Sequence, residues 1–169
     1  MRGPLRVPAF VIVALVLLTP AAARAQAAGM PTCMTLLPPE AIAKTLGQTY
    51  KDMGSEVSRS GASNCDWAAR LGTPGFKTLA FTFFDAVALK ASPGYASADE
   101  YFETVVSSVE ARAPGKRELL PGVGLKAAFV ATAPQMLVAV QRKDGVARLV
   151  GINLTKAQMI ALARAIAAP

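Results

Sequence analysis

Two cysteines are the residues of this chain that most clearly imply chemistry. Cys33 and Cys65 are its only cysteines, and none of its 169 residues is a histidine. Ser-His-Asp and Cys-His catalysis and imidazole metal sites therefore cannot be built, and two thiolates cannot form a four-thiolate zinc site. Because the chain carries an export leader, described below, the pair predicts one disulfide. A redox-active thiol is the alternative, although C-x-x-C and an activating histidine are both missing.

Three carboxylates form the densest acidic cluster of the sequence. Asp99, Glu100 and Glu103 could hold a hard cation or act as an acid/base pair. Acids also stabilise the first turn of a helix, and Ser97 with Glu100 matches a capping box. We therefore interpret the cluster as structural and assign no catalytic, metal-binding or cofactor-binding residue.

The basic and glycine-rich segments do not match known site patterns. Lys116-Arg117 and Arg142-Lys143 are isolated doublets without aromatic interleaving, which disfavours nucleic-acid binding. Gly122-Val123-Gly124 lacks the third glycine and the strand-to-helix setting of a dinucleotide site. The sequence thus implies no cofactor and no nucleic-acid partner.

The aromatic residues suggest one speculative ligand pocket between a sheet and a helix. Ordinary core packing is the alternative role for them, and we expect Trp67 to be core beside the disulfide. The proposed lining is Phe81, Phe83, Phe84, Tyr95, Tyr101, Phe102 and Met136.

Residues 1–25 have the pattern of a secretory signal peptide. Arg2 and Arg6 precede an uninterrupted apolar run, Ala9–Leu18. A membrane-spanning helix needs about 20 apolar residues, roughly twice this run, which disfavours the alternative of an uncleaved anchor.

The cleavage site is predicted between Ala25 and Gln26, after the small-x-small tripeptide that ends at Ala25. Cys33 lies too far from the apolar run for lipoprotein processing. We therefore expect an exported protein, periplasmic or extracellular, without a stable membrane anchor after cleavage. Loss of three leader arginines lowers the formal net charge from +7 to +4, which is weak support for an anionic partner.

The rest of the chain predicts a loose lead-in over residues 26–37 and one α+β domain over residues 38–169. Two capping boxes, Ser97/Glu100 and Thr155/Gln158, predict the starts of two helices. Asp144-Gly145 predicts a type I′ hairpin. Short turns between strands imply an antiparallel sheet, with the helices packed on one face. The predicted elements are helices over 39–46, 97–112 and after 155, strands over 49–59, 65–71, 77–84, 126–132, 135–142 and 146–153, and a loop over 85–96.

Several short motifs resemble a known family. They are Cys33 with Leu36-Leu37-Pro38, Leu46-Gly47, Cys65-Asp66-Trp67, and the segment Gly122–Ala127. The chain is similar in these to the exported bacterial cell-envelope proteins of the domain of unknown function three-five-five-eight. That resemblance implies an exported α+β domain with a Cys33–Cys65 bridge and no catalytic activity. Members are often lipid-anchored, whereas this sequence lacks the lipoprotein motif.

These observations favour a non-enzymatic exported binding or accessory module, acting through its surface or a small pocket on a protein or small-molecule partner. One alternative is a protein inhibitor or assembly partner that uses an exposed sheet face. A second is an enzyme that uses only carboxylates, serine or lysine, for which Asp66, Asp85 and the acids of residues 99–103 are the best candidates.

Mass spectrometry of the exported protein tests the leader and the bridge together. We expect a denatured mass that corresponds to residues 26–169 with two hydrogens fewer than the reduced chain, and recovery of those two hydrogens on reduction. A mass that includes residues 1–25 would contradict cleavage, and an unchanged mass on reduction would contradict the disulfide.

Overall fold

The computed structural model describes residues 31–58, 60–112 and 116–167. The signal peptide, residues 1–25, and the cleavage site at Ala25 and Gln26 lie outside these residues and stay predictions. The helices are α1 (Cys33–Leu36), α2 (Pro39–Leu46), α3 (Ala86–Ala91), α4 (Ala98–Glu110) and α5 (Lys156–Ala167). The strands are β1 (Lys51–Val57), β2 (Ala62–Ala69), β3 (Lys77–Asp85), β4 (Glu118–Leu119), β5 (Lys126–Thr132), β6 (Gln135–Arg142) and β7 (Gly145–Ile152). No helix within the described ranges is long and apolar enough to cross a membrane.

The strands of the described residues form one antiparallel sheet in the order β1-β2-β3-β7-β6-β5-β4. Two meanders, β1-β2-β3 and β4-β5-β6-β7, join where β3 pairs with β7, from Thr78 opposite Ile152 to Asp85 opposite Gly145. The predicted single α+β domain with an antiparallel sheet is confirmed.

The helices cover both faces of the sheet, so the expectation that they pack on one face is wrong. On β5, Ala127 and Phe129 pack with α2 and α5, whereas Ala128 and Val130 pack with α3 and α4. Neighbouring residues of a strand point to opposite faces, so these two cores are separated by the sheet. The physical reason is that β5 and β6 carry apolar residues at consecutive positions, which must be buried on both sides. We name the two sides the disulfide face, under α1, α2 and α5, and the α4 face.

The disulfide ties α1 to β2 on the disulfide face. Cys33 and Cys65 are bonded, with their Cα atoms 6.0 Å apart, and both are buried. Ser63 accepts a hydrogen bond from the Cys33 amide at 3.0 Å. Trp67 is buried in the same core, as predicted. The segment predicted as a loose lead-in differs from expectation, because α1 lies within it and Leu37 at its end is fully buried.

The segment after β3, predicted as a loop, contains α3. Asp85 caps this helix by accepting hydrogen bonds from the amides of Val87 and Ala88, at 2.7 and 3.1 Å, and Leu89 is fully buried. One buried leucine in a six-residue helix leaves too short a pattern for periodicity to detect.

The hairpin between β6 and β7 is present, but its predicted type I′ turn is wrong. Arg142 pairs with Gly145, so Lys143 and Asp144 are the central residues, and neither has the positive φ that this turn type requires. Gly145 instead begins β7, where a Cβ atom would lie 2.1 Å from the Phe84 carbonyl oxygen.

Two glycines of the Gly122-Val123-Gly124 turn offer a matched test of backbone packing. Both have positive φ, +74° and +61°, but a Cβ at Gly124 would lie 2.6 Å from the Gln141 carbonyl oxygen, whereas one at Gly122 meets no described atom within 4 Å. Gly122→Ala should lower the free energy of unfolding by about 1 kcal/mol through left-handed strain alone. Gly124→Ala should lower it by about 2–4 kcal/mol, because the Gln141 carbonyl, which accepts from the Leu125 amide, must move.

Chemical denaturation of both variants measures the difference. Equal losses for the two variants would contradict the close approach of this turn to β6.

Candidate functional site

Within the described residues, the α4 face of the sheet is only partly covered. Helices α3 and α4 pack on β5, β6, β7 and the end of β3, while polar and small residues of β1, β2 and β3 remain half-buried or exposed. Arg148 of β7 lies at the border, because its partner on one side is the fully buried Ala139 and on the other is the half-buried Thr82. We name this uncovered surface the open face; it comprises Gly54, Glu56, Asn64, Asp66, Ala80, Thr82 and Arg148.

Cross-strand register places the residues of the open face in two adjacent rows. Arg148 lies opposite Thr82, Thr82 opposite Asn64, and Asn64 opposite Glu56. In the neighbouring row Ala80 lies opposite Asp66, which lies opposite Gly54. In these two rows the open face has a cation at its β7 end and two carboxylates toward β1, and the exposed Lys51, opposite Ala68, lies one row beyond Asp66.

Arg148 is the least satisfied polar side chain of this surface. It is half-buried, its Nε is buried without a hydrogen-bond partner, and no ion pair of the described residues includes it. A buried donor without a partner costs about 1–3 kcal/mol, and more when the group is charged. Because the Nε atom itself is closed to solvent, an anionic group on the open face would compensate the charge of the guanidinium rather than bond to Nε.

Three aromatic rings, those of Phe84, Tyr95 and Tyr101, pack against one another on the α4 face, and we name them the aromatic wall. The ring centroid of Tyr101 lies 5.0 Å from that of Phe84 and 4.9 Å from that of Tyr95. Burial raises the pKa of Tyr101, and the nearby positive charge of Arg148 partly opposes this rise. The Tyr101 hydroxyl is therefore protonated at neutral pH and lies within electrostatic range of the guanidinium.

The opposite end of the open face contains a shallow cavity of about 290 Å³. Asp66 and Glu56 contribute its acidic groups and Asn64 an amide, while Gly54 adds no side chain. Both acids are exposed. This end can receive a cationic or hydrogen-bond-donating group.

A larger cavity, of about 550 Å³, lies at the hairpin turn and the end of α5. Its Arg142 is already engaged, by Asp144 at 2.8 and 3.0 Å and by the Ile166 carbonyl. The cavity also borders Ala167, where the described residues end. Since its guanidinium is paired, we favour the open face as the functional site.

The acids of residues 99–103 have structural partners. Glu100 accepts a hydrogen bond from the Ala96 amide at 2.7 Å and its own amide donates to the Ser97 hydroxyl, which matches the capping interpretation. Asp99 pairs with Lys126 at 3.2 Å, and Glu103 pairs with Lys126 and, at 2.6 Å, with Arg117. Among the described residues no group of three or more potential ligands could hold a metal ion.

The predicted aromatic pocket is divided by the sheet. Phe81 and Phe83 point to the disulfide face, and Met136 packs against that same core. Phe84, Tyr95, Tyr101 and Phe102 lie on the α4 face, and the first three of these form the aromatic wall.

Sequence reasoning missed Arg148. The sequence does contain a signal, because Arg148 alternates with Val146, Val150 and Ile152 on one face of β7. A lone arginine in the apolar row of a central strand needs either a partner or a ligand. The importance of the open face itself could not be inferred, since it depends on where α4 ends.

The chain matches no protein-family model, no curated protein and no solved structure. The resemblance to exported envelope proteins therefore stays a prediction.

The Glu103 ion pairs predict a pH-dependent contribution to stability. Hydrogen bonds from Arg117 and Lys126 lower the pKa of Glu103 below its ordinary value of 4.5. Because the folded-state pKa is the lower one, the stabilisation is present at neutral pH and is lost as the pH falls below 4.5 through the folded-state pKa. Glu103 is 39% exposed, so solvent screening limits the contribution to about 0.5–1 kcal/mol.

Glu103→Gln should therefore lower the free energy of unfolding at pH 7 by about that amount, and the difference from the parent should vanish at acid pH. Urea denaturation across pH measures both. Glu56→Gln on β1 is the control, as Glu56 is exposed, lies outside any helix and belongs to no ion pair in the described ranges. A loss for Glu103→Gln that is constant with pH would contradict the assignment.

Proposed function

We propose that this protein is an exported, non-enzymatic binding module and that it binds the anionic group of its ligand at Arg148 on the open face. The observation that carries the proposal is the buried Nε of Arg148, which lacks a partner among the described residues, at the edge of an uncovered polar surface. Buried polar groups are normally paired in native proteins, so an unpaired one needs a structural or functional explanation.

Export is supported by the leader of residues 1–25 and by the disulfide. Cys33 and Cys65 are bonded and buried, and such bridges form and persist in oxidising compartments. On this basis we place the protein in the periplasm or the extracellular medium.

A binding role is favoured over catalysis by the roles of the candidate acids. Asp85 caps α3, and Asp99 and Glu103 are held by Lys126. Asp66 is exposed and lines the shallow cavity with Gly54, Ser55, Glu56 and Asn64.

A protein partner that covers the open face is the alternative. The central residues of this surface, Ala80, Thr82 and Asn64, offer little apolar area, whereas stable interfaces depend on buried aromatic and arginine anchors. Strand addition to the exposed β1 edge is opposed by the bulge between Asp52 and Gly54, which interrupts the register. The small size and polarity of the surface favour a small ligand.

Titration with small anions, followed by nuclear magnetic resonance, tests the role of Arg148. Sodium acetate and inorganic phosphate should shift the ¹⁵Nε–H resonance of Arg148 and the amides of Thr82 and Arg148. Arg148→Met, which keeps an apolar stem and removes the charge, should weaken anion binding at least tenfold. Arg164→Met on the exposed surface of α5 is the matched control and should bind like the parent.

The same variant has an expected effect on stability. Replacing an unpaired, partly buried guanidinium with a thioether should leave the free energy of unfolding unchanged or raise it by about 1 kcal/mol. Anion binding that survives in Arg148→Met would overturn the proposed site, and a large loss of stability would show that Arg148 is structural instead.

A further inference from the structure

We infer that the ligand is a short peptide with free termini that lies across the strands of the open face, with its carboxylate at Arg148 and its ammonium group at Asp66 and Glu56. This inference rests on the proposed function and adds the second charge of the ligand, its length and its direction.

The first step is the separation of opposite charges on one surface. Asp66 lies two strands from Arg148 and one row away, and Glu56 lies three strands away in the same row. With strands about 4.8 Å apart, the Cα atoms of Arg148 and Asp66 are separated by about 12 Å and those of Arg148 and Glu56 by about 14 Å. No ion pair of the described residues includes Arg148, Asp66 or Glu56. A molecule with an anionic and a cationic end satisfies both ends of this surface.

The second step is the length of the ligand. An arginine side chain reaches several ångströms from its Cα atom, so a molecule of two or three extended residues, at about 3.3–3.6 Å per residue, spans the gap that remains. The cavity of about 290 Å³ at the acidic end is large enough for an ammonium group and one small side chain, but not for a folded partner.

The third step concerns the side chains of the sheet between the two charged ends, which form the floor of the site. Thr82 and Asn64 lie between Arg148 and Glu56. In the neighbouring row Ala80 carries only a methyl group, so no large side chain stands between the two charged ends. The Asn64 amide can both donate and accept hydrogen bonds, and the Thr82 hydroxyl can do the same. A peptide backbone, with its own donors and acceptors, matches this floor better than an alkyl chain of equal length does.

The fourth step concerns access at the two ends. Gly54 has no side chain, and a Cβ built on it meets no described atom within 4 Å, so the surface above Asp66 is unobstructed. At the other end Tyr95 and Tyr101 pack with Phe84 and Val146 in the core under α4, so the carboxylate of the ligand lies nearest to the covered part of this face.

Calorimetric titration with three forms of one tripeptide tests the inference. The probes are trialanine with free termini, N-acetyl-trialanine, and trialanine amide. Free trialanine should bind most tightly to the parent protein, and blocking either end should weaken binding at least threefold.

Variants assign each loss to its end. Arg148→Met should bind the free peptide and the amide equally, because it can no longer recognise the carboxylate. Asp66→Asn combined with Glu56→Gln should bind the free and acetylated peptides equally, because the acids that recognise the ammonium group are gone. Glu40→Gln, an exposed acid on α2, should bind all three peptides as the parent does.

The outcomes separate this inference from the proposed function. If acetate and phosphate shift Arg148 but the three peptides bind alike or not at all, the peptide inference is overturned and the anion site stands. If neither anions nor peptides depend on Arg148, both are overturned. The inference is supported if Arg148→Met removes the preference for the free carboxylate and if Asp66→Asn combined with Glu56→Gln removes the preference for the free ammonium group.

Discussion

The pairing of β3 with β7 is the contact on which the rest of the structure depends. It joins two meanders from opposite halves of the chain, and eight residues of each strand are in register across it. Such a contact closes a long loop and therefore carries an entropic cost. The burial of apolar groups offsets that cost, for example at Phe81 and Leu149, which lie opposite each other. The same pairing places Thr82 beside Arg148. The candidate site therefore exists only when both halves of the chain have come together.

The width of the sheet, compared with the helices that cover it, explains why the sheet has an open face. Seven strands are about 29 Å across, and a helix is about 10 Å wide. On the disulfide face α1, α2 and α5 share the coverage, and the Cys33–Cys65 bridge holds α1 over β2. On the other face α4 and the short α3 cover the β5–β7 side and the end of β3. Arg148 lies where that coverage stops, and its side chain is half-buried there.

Local sequence patterns predicted much of the fold and little of the site. The alternation of Leu79, Phe81 and Phe83 identified β3, and the Ser97/Glu100 and Thr155/Gln158 boxes identified the starts of α4 and α5. Each of these patterns involves only residues within four positions of one another, so it can be recognised without the tertiary structure. Local patterns do not reveal that helices cover both faces of the sheet. The reason is that the consecutive apolar residues of β5 and β6 lack the alternation that would assign one face to solvent.

The sequence by itself determined the chemistry available to this protein. A chain with two cysteines and no histidine can form one disulfide and cannot use imidazole, and these properties need no structure. Only the tertiary structure decided which charges are paired. Lys126 and Arg117 meet the acids of α4, whereas no ion pair of the described residues includes Arg148. The physical reason is that electrostatic compensation depends on distance in space, and the residues that surround Arg148 come from strands far apart in the chain.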